Sequence, residues 1–188
     1  MSPEILQNRC FDDILIGDTA SIRHTLTLQD VQLFAAVSGE ISPTHLDSEL
    51  DKQLGPGDLS AHSMWLGAQV SGLLGNQLPG PGTVYAGQDL EFHAPVTIGE
   101  QITLSITVRE KHAETRLVTF DCRCVNARGE TVMTGTARVI APKVRITMER
   151  PDAAQVSIQS HDNLENFVGR CRQLPPVAVA VVHPCDES

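Results

Sequence analysis

Aromatic side chains are scarce: Phe, Tyr and Trp together make up 4% of the 188 residues. A core built from this chain has to consist mostly of Val, Leu, Ile and Ala. No apolar run reaches the about 18 residues that a membrane-spanning helix requires, so no membrane partner is expected. The opening stretch MSPEILQNRCFDD lacks the basic and apolar segments of a secretory signal. Cationic residues are in deficit, 14 Lys+Arg against 23 Asp+Glu, for a formal net charge of −9. Nucleic acid needs a cationic surface, so it is not an expected partner. The five cysteines are odd in number and form no C-x-x-C pair. Free thiols in a cytoplasmic protein are the expectation. Cys122 and Cys124, two apart in a strand-like run, project to one face and read as small buried hydrophobes.

What is present is a globular composition, 41% hydrophobic and 20% charged, with no internal repeat. Residues 19–27 alternate as a strand does. Thr27, with Asp30 three residues on, forms a capping box that opens a short helix burying Val31, Phe34, Ala35 and Val37. Gly39 and Pro43 end it, so 39–46 (GEISPTHL) reads as a turn directly after a helix. Residues 60–78 are the strongest helix candidate. Gly67, Gly72 and Gly75 cost that helix about 1 kcal/mol each relative to Ala. They make sense if it is central and closely wrapped by other backbone. The run PGPG at 79–82 stops it. Four strands follow at roughly 83–93, 100–111, 115–126 and 130–141, with period-two alternation clearest in Ile102, Leu104, Ile106 and Val108. Short connections imply an antiparallel meander, and one apolar helix with such a sheet makes an α+β architecture.

Two segments carry groups suited to chemistry. In Glu40-Ile-Ser-Pro-Thr-His45 a carboxylate and an imidazole five residues apart can converge on one point. Glu accepts hydrogen bonds when ionised and His relays protons near neutral pH, so the pair can hold and deprotonate a water. In Ala61-His62-Ser63-Met64 the long helix begins, and its first N–H groups have no internal partner. They can receive a thioester carbonyl oxygen as it gains negative charge, an arrangement worth ~10²–10³ in rate per donor. Each segment has a plainer reading: a solvated surface turn, and a His that satisfies a helix terminus.

Taken together, S-G-E-I-S-P-T-H-L-D, then A-H-S-M, then S-G-L-L-G-N-Q-L-P-G-P-G-T-V-Y-A-G-Q-D-L-E-F resemble the MaoC-like, (R)-specific enoyl-CoA hydratases. The match runs over roughly residues 12–141. The resemblance implies a hot-dog fold, an antiparallel sheet wrapped around one long central helix. It implies an enoyl-CoA or acyl-CoA substrate, and no metal or other cofactor. It also implies a homodimer or higher homo-oligomer, joined through sheet edges with the acyl-CoA tunnel at the interface. The activity implied is that of a lyase: reversible syn addition of water to a trans-2-enoyl-CoA, giving a (3R)-3-hydroxyacyl-CoA. In the family motif D-x-N-P-x-H the Asp and His are the acid–base pair, and those positions are Glu40 and His45 here. The Gly of the family's H-G-M supplies an oxyanion N–H, and that position is Ser63. Substrate contacts are expected from His62, Met64, Trp65 and Ser71.

Three residues depart from the family pattern. Asp becomes Glu40, which adds a methylene and roughly 1.3–1.5 Å of reach, where a misplacement of ~1 Å can cost about a hundredfold. Asn becomes Ser42, and Gly becomes Ser63. A non-catalytic acyl-CoA-binding or assembly module, and a hot-dog thioesterase in which Glu40 activates water, are the competing readings.

Past Pro142 the pattern changes. The domain expectation is a hydratase domain over 1–142, a linker over 143–174 holding a short helix at 161–173, and a second element over 175–188. The continuous apolar run in PPVAVAVVHP reads as a strand buried on both faces of a parallel sheet, or as an edge strand docked on the first domain. RCRQLPPVAVAVVHPCDES resembles the opening of a phosphate acetyl/butyryltransferase. That implies a bifunctional enoyl-CoA hydratase/phosphate acetyltransferase whose C-terminal domain continues beyond this chain.

Overall fold

Ile102, Leu104, Ile106 and Val108 point to one side of a single strand, and all four are buried to 1% exposure or less. The computed structural model describes residues 4–54, 58–150 and 181–184. The chain runs β1 (Ile5–Gln7), a 3-10 turn (Phe11–Asp13), β2 (Thr19–Thr25), α1 (Leu28–Ser38), α2 (Pro43–Leu46), α3 (Ser48–Leu54) and α4 (Ser63–Asn76). It continues through β3 (Val84–Phe92), β4 (Gln101–His112), β5 (Leu117–Asn126), β6 (Thr131–Ile140), β7 (Val144–Glu149) and β8 (Val181–Pro184). This is the expected α+β hot-dog arrangement: five antiparallel strands in spatial order β2-β4-β5-β6-β3, with α4 across one face.

Trp65, Leu66, Val70, Leu73 and Leu74 form the buried stripe of α4. At about 100° per residue these positions fall within one half of the helix circumference. Opposite them lie the apolar faces of β4 and β5, where Phe120, Cys122 and Cys124 are 2% exposed or less. Burial pushes both thiols up to about 12, helped by nearby Asp121 for Cys122 and Glu100 for Cys124. Cys122 and Cys124 are free, as expected, whereas Cys10 is disulfide-bonded. The expectation of free thiols therefore fails at Cys10.

The strands do not follow one another across the sheet as a simple meander. Only β4, β5 and β6 do so; β3 pairs with the far edge of β6. The chain leaves the sheet after β2, crosses its face as α4 and re-enters at the opposite edge. Where β6 passes β3, a Cβ on Gly135 would stand 2.1 Å from the Asp89 carbonyl oxygen, so only glycine fits. In α4 the close-approach argument holds at Gly67 alone, where a Cβ would meet Met64 Cε at 3.0 Å and Leu90 Cδ1 at 3.4 Å. Gly72 and Gly75 meet nothing within 4 Å among the described residues. The sheet covers one side of α4, and its opposite side is open.

The capping box of α1 forms as expected, with the Asp30 N–H donating to Thr27 Oγ1 and the Thr27 N–H donating to Asp30 Oδ2. Val31 and Ala35 are buried, Phe34 is half-buried, and Val37 is 80% exposed. Val37 lies two residues beyond Ala35, about 200° round the helix, and so faces away. At the helix end Gly39 takes φ 76° and its N–H caps the Ala35 carbonyl.

β7 forms within the stretch expected as a linker. It pairs antiparallel with β1 and with β8 in a second, three-stranded sheet. Val181–Pro184 is therefore an antiparallel strand, at the edge of that sheet among the described residues, and not a strand of a parallel one. Asn8 ties this sheet to the post-helix turn: its Nδ2 donates to the Pro81 and Val144 carbonyls and its Oδ1 accepts the Ile146 N–H. The helix expected at 161–173 lies outside the described residues.

Candidate active site

The segment read as a turn holds a four-residue helix, α2, opened by Pro43 at its first position, where a missing N–H costs nothing. That single turn carries His45 back towards Glu40. The two side chains meet, with His45 Nε2 3.3 Å from Glu40 Oε1. His45 is mostly enclosed, at 16% side-chain exposure, and Glu40 is half open at 52%. His45 Nδ1 is 2.9 Å from the Ser60 carbonyl oxygen. A carbonyl only accepts, so Nδ1 carries the hydrogen, and in the neutral ring the Nε2 lone pair faces Glu40. A lone pair and a carboxylate this close share a donor: the ring's second proton, or a water that gives one hydrogen to each.

The segment before α4 grips both members of the pair. Ser60 accepts from His45, and His62 Nε2 donates to the Glu40 carbonyl at 3.0 Å. Ala61 between them is anchored by its N–H to the Val96 carbonyl at 2.8 Å. His62 is the N-cap of α4 and is 1% exposed. Its ring lies between Phe34, with centroids 5.1 Å apart, and His45, at 4.1 Å. The N–H groups of Ser63 and Met64, at the start of α4, have no acceptor among the described residues. Ser63 is exposed. The positive end of the dipole of this 14-residue helix is thus open just after His62, which touches both Glu40 and His45.

A cavity of about 540 Å³ lies along α4 and β3, lined by Phe34, Met64, Ala68, Ser71, Tyr85 and Gln88 among others, and neither Glu40 nor His45 lines it. Tyr85 donates its hydroxyl to Gln88 Oε1 at 2.9 Å. Burial, with Cys122 beneath, pushes the Tyr85 hydroxyl up to about 12.

Of the expected site residues, Glu40 and His45 come together, Ser63 opens α4 next to His62, and Met64 and Ser71 line the cavity. His62 and Trp65 do not line it. Trp65 is 4% exposed and packs edge-on to His24, with ring centroids 5.2 Å apart. Ser42 bonds the Thr44 hydroxyl at 2.9 Å. Ser60 and Gln88 were not singled out from sequence. Ser60 acts through its carbonyl, which every residue has, so no sequence signal marks it.

Ligand atoms of Glu40, His45 and His62 all fall within 4.8 Å of one another. The His45 and His62 rings meet at a tilt, with centroids 4.1 Å apart and planes at 32°.

Comparison with known proteins shows which family the chain resembles. The model of the MaoC-like domain matches residues 17–125. An (R)-specific enoyl-CoA hydratase of Rhodospirillum rubrum is 37% identical over 142 residues, covering 76% of this chain and 98% of that protein. The unliganded R-hydratase PhaJ1 from Pseudomonas aeruginosa superposes with a TM-score of 0.78 at 33% identity, over 83% of this chain and all of that one. The (R)-hydratase from A. caviae involved in PHA biosynthesis gives 0.66 at 32% identity, over 69% and 98%.

Proposed function

The chain belongs to the MaoC-like domain family, and on that premise we propose that it is an (R)-specific enoyl-CoA hydratase. It adds water reversibly and with syn geometry to a trans-2-enoyl-CoA, giving the (3R)-3-hydroxyacyl-CoA. The observation that carries this reading is the 3.3 Å approach of His45 Nε2 to Glu40 Oε1 beside the open start of α4. Glu40 and His45 bind the water between them. One of the pair removes a proton as the oxygen adds to C3, and a proton is returned to C2 from the same side. The Ser63 N–H receives the thioester oxygen as it becomes enolate-like. General acid–base work supplies ~10²–10⁴ of the rate and the oxyanion donor ~10²–10³. The acyl chain lies along Met64 and Ser71 in the cavity. No metal or redox group takes part in these steps.

The active form in this reading is a homodimer or higher homo-oligomer. β3 ends the large sheet with one edge unpaired among the described residues, and Val84 on it is 57% exposed. A second copy paired there would close the open side of the cavity.

The test is the absorbance of the enoyl-thioester band during incubation with crotonyl-CoA, with thiol release followed in parallel. Loss of the band without thiol release, abolished in His45→Ala, is expected. Thiol release in step with substrate loss would make the protein a thioesterase. Binding without turnover across several chain lengths would make it a binding module.

A further inference from the structure

His62 is the buried side chain of this site that the chemistry above does not use. Its Nε2–H is given to the Glu40 carbonyl, and its Nδ1 is buried with no hydrogen-bond partner among the described residues. A buried acceptor left unpaired is unfavourable. A residue needed only to fill space at the N-cap would do better as an apolar side chain, and one needed only as a cap would be Ser, Thr, Asp or Asn. The cap role is in fact unfilled, since His62 makes no side-chain bond to the first turn of α4. What the ring does is touch both members of the acid–base pair. It holds the Glu40 backbone through one hydrogen bond, and it supports the face of the His45 ring at 4.1 Å.

Glu40 has few other anchors. Its N–H donates to Ser38 Oγ at 3.2 Å, and its half-exposed carboxylate meets only His45 among the described residues. It follows directly on the left-handed Gly39, where the chain turns out of α1. Without the His62 bond no hydrogen bond among the described residues fixes its carbonyl. His62 itself is fixed on both sides, by Phe34 from α1 and by the Ala61 N–H bonded to the Val96 carbonyl.

We propose that His62 is the positioning residue of the hydratase site: its Nε2–H and ring hold Glu40 and His45 at their reacting separation. The proposal rests on the hydratase reading. It gives His62 a place behind the reacting groups, not the substrate contact expected of it from sequence.

The variants His62→Gln and His62→Asn test it. A Gln amide reaches the position of the imidazole Nε2; an Asn amide falls roughly one bond short, and displacements of ~1 Å matter at a reacting centre. Both are polar and small enough for the site. With crotonyl-CoA, His62→Gln is expected to keep kcat within about threefold of the parent protein. His62→Asn is expected to lose about tenfold or more in kcat with KM changed less than about twofold. Thermal midpoints of the two variants should agree, so that the difference between them is not one of folding. Equal kcat in the parent and both variants would overturn the proposal. So would an equal loss in both variants that follows their thermal midpoints, or a change confined to KM. A parent protein that turns over no enoyl-CoA would overturn the hydratase reading itself and this role with it, an outcome separate from an active parent with indifferent variants.

Discussion

His45 donates its Nδ1–H to the carbonyl of Ser60 at 2.9 Å, and that bond decides which ring nitrogen faces Glu40. With Nδ1 committed, Nε2 is the atom 3.3 Å from Glu40 Oε1. The carbonyl that fixes the tautomer lies two residues before the side chain that holds Glu40. One short segment therefore sets the geometry of both reacting groups.

Shortening the acid tests whether the longer side chain suits this backbone. Glu40→Asp restores the family's usual residue but withdraws the carboxylate by about 1.3 Å, enough at a reacting centre to cost ~10–100-fold in rate. The backbone here is held by His62 and Gly39 at the spacing that suits Glu. The expected outcome is a fall in kcat for crotonyl-CoA hydration with the His45-dependent reaction retained. A rise in kcat would mean that the Glu carboxylate sits too close to His45.

The oxyanion role of the Ser63 N–H can be separated from folding by proline. Ser63 is the first residue of α4, a position where proline is favoured because the N–H has no helical partner. His62 before it has φ −56° and ψ 133°, which a following proline accepts. Ser63→Pro is expected to leave the thermal midpoint nearly unchanged and to lower kcat by ~10²–10³. Ser63→Ala, which keeps the N–H, should stay within about threefold. Equal activity in all three proteins would remove Ser63 from the mechanism.

Asp30 gives the fold a pH dependence of known sign. Burial alone would raise its pKa, but hydrogen bonds from the Thr27 side chain, His24 and the Thr27 N–H, with the His24 charge, together outweigh burial and hold the carboxyl below its usual value. A carboxylate held low in the folded state stabilises it above the unfolded pKa of about 3.9, and that stabilisation is lost as pH falls through the lower folded value. Asp30→Asn is therefore expected to be less stable than the parent at pH 7, by ~1 kcal/mol as for other cap losses. The gap should narrow below about pH 4 in denaturant titrations run at several pH values. A gap that is constant with pH would mean that the charge on Asp30 does not contribute.

Much of the scaffold was legible because it is local. The alternation of Ile102, Leu104, Ile106 and Val108, the Thr27–Asp30 box and the Gly39 stop are all set by neighbours within a few residues, and each formed as expected. The Glu40–His45 pair was legible for the same reason. The place of β3 beside β6 was not, because strand periodicity tells which face a residue takes and nothing about which strand lies next to it. The same limit hid β7, whose mixed sequence is a strand only because β1 and β8 flank it. Trp65, expected against substrate, faces the core because α4 turns that side to the sheet.

The sequence by itself determined α1 with its capping, α4, the strands β2 to β6, the meeting of Glu40 with His45 and the family, since each depends on residue types at short spacing. Only the tertiary structure decided that Ser60 sets the His45 tautomer and that His62 lies behind the pair. Those roles arise where α1, α2 and the start of α4 converge. They involve backbone carbonyls and ring contacts, whose partners no spacing along the chain can specify.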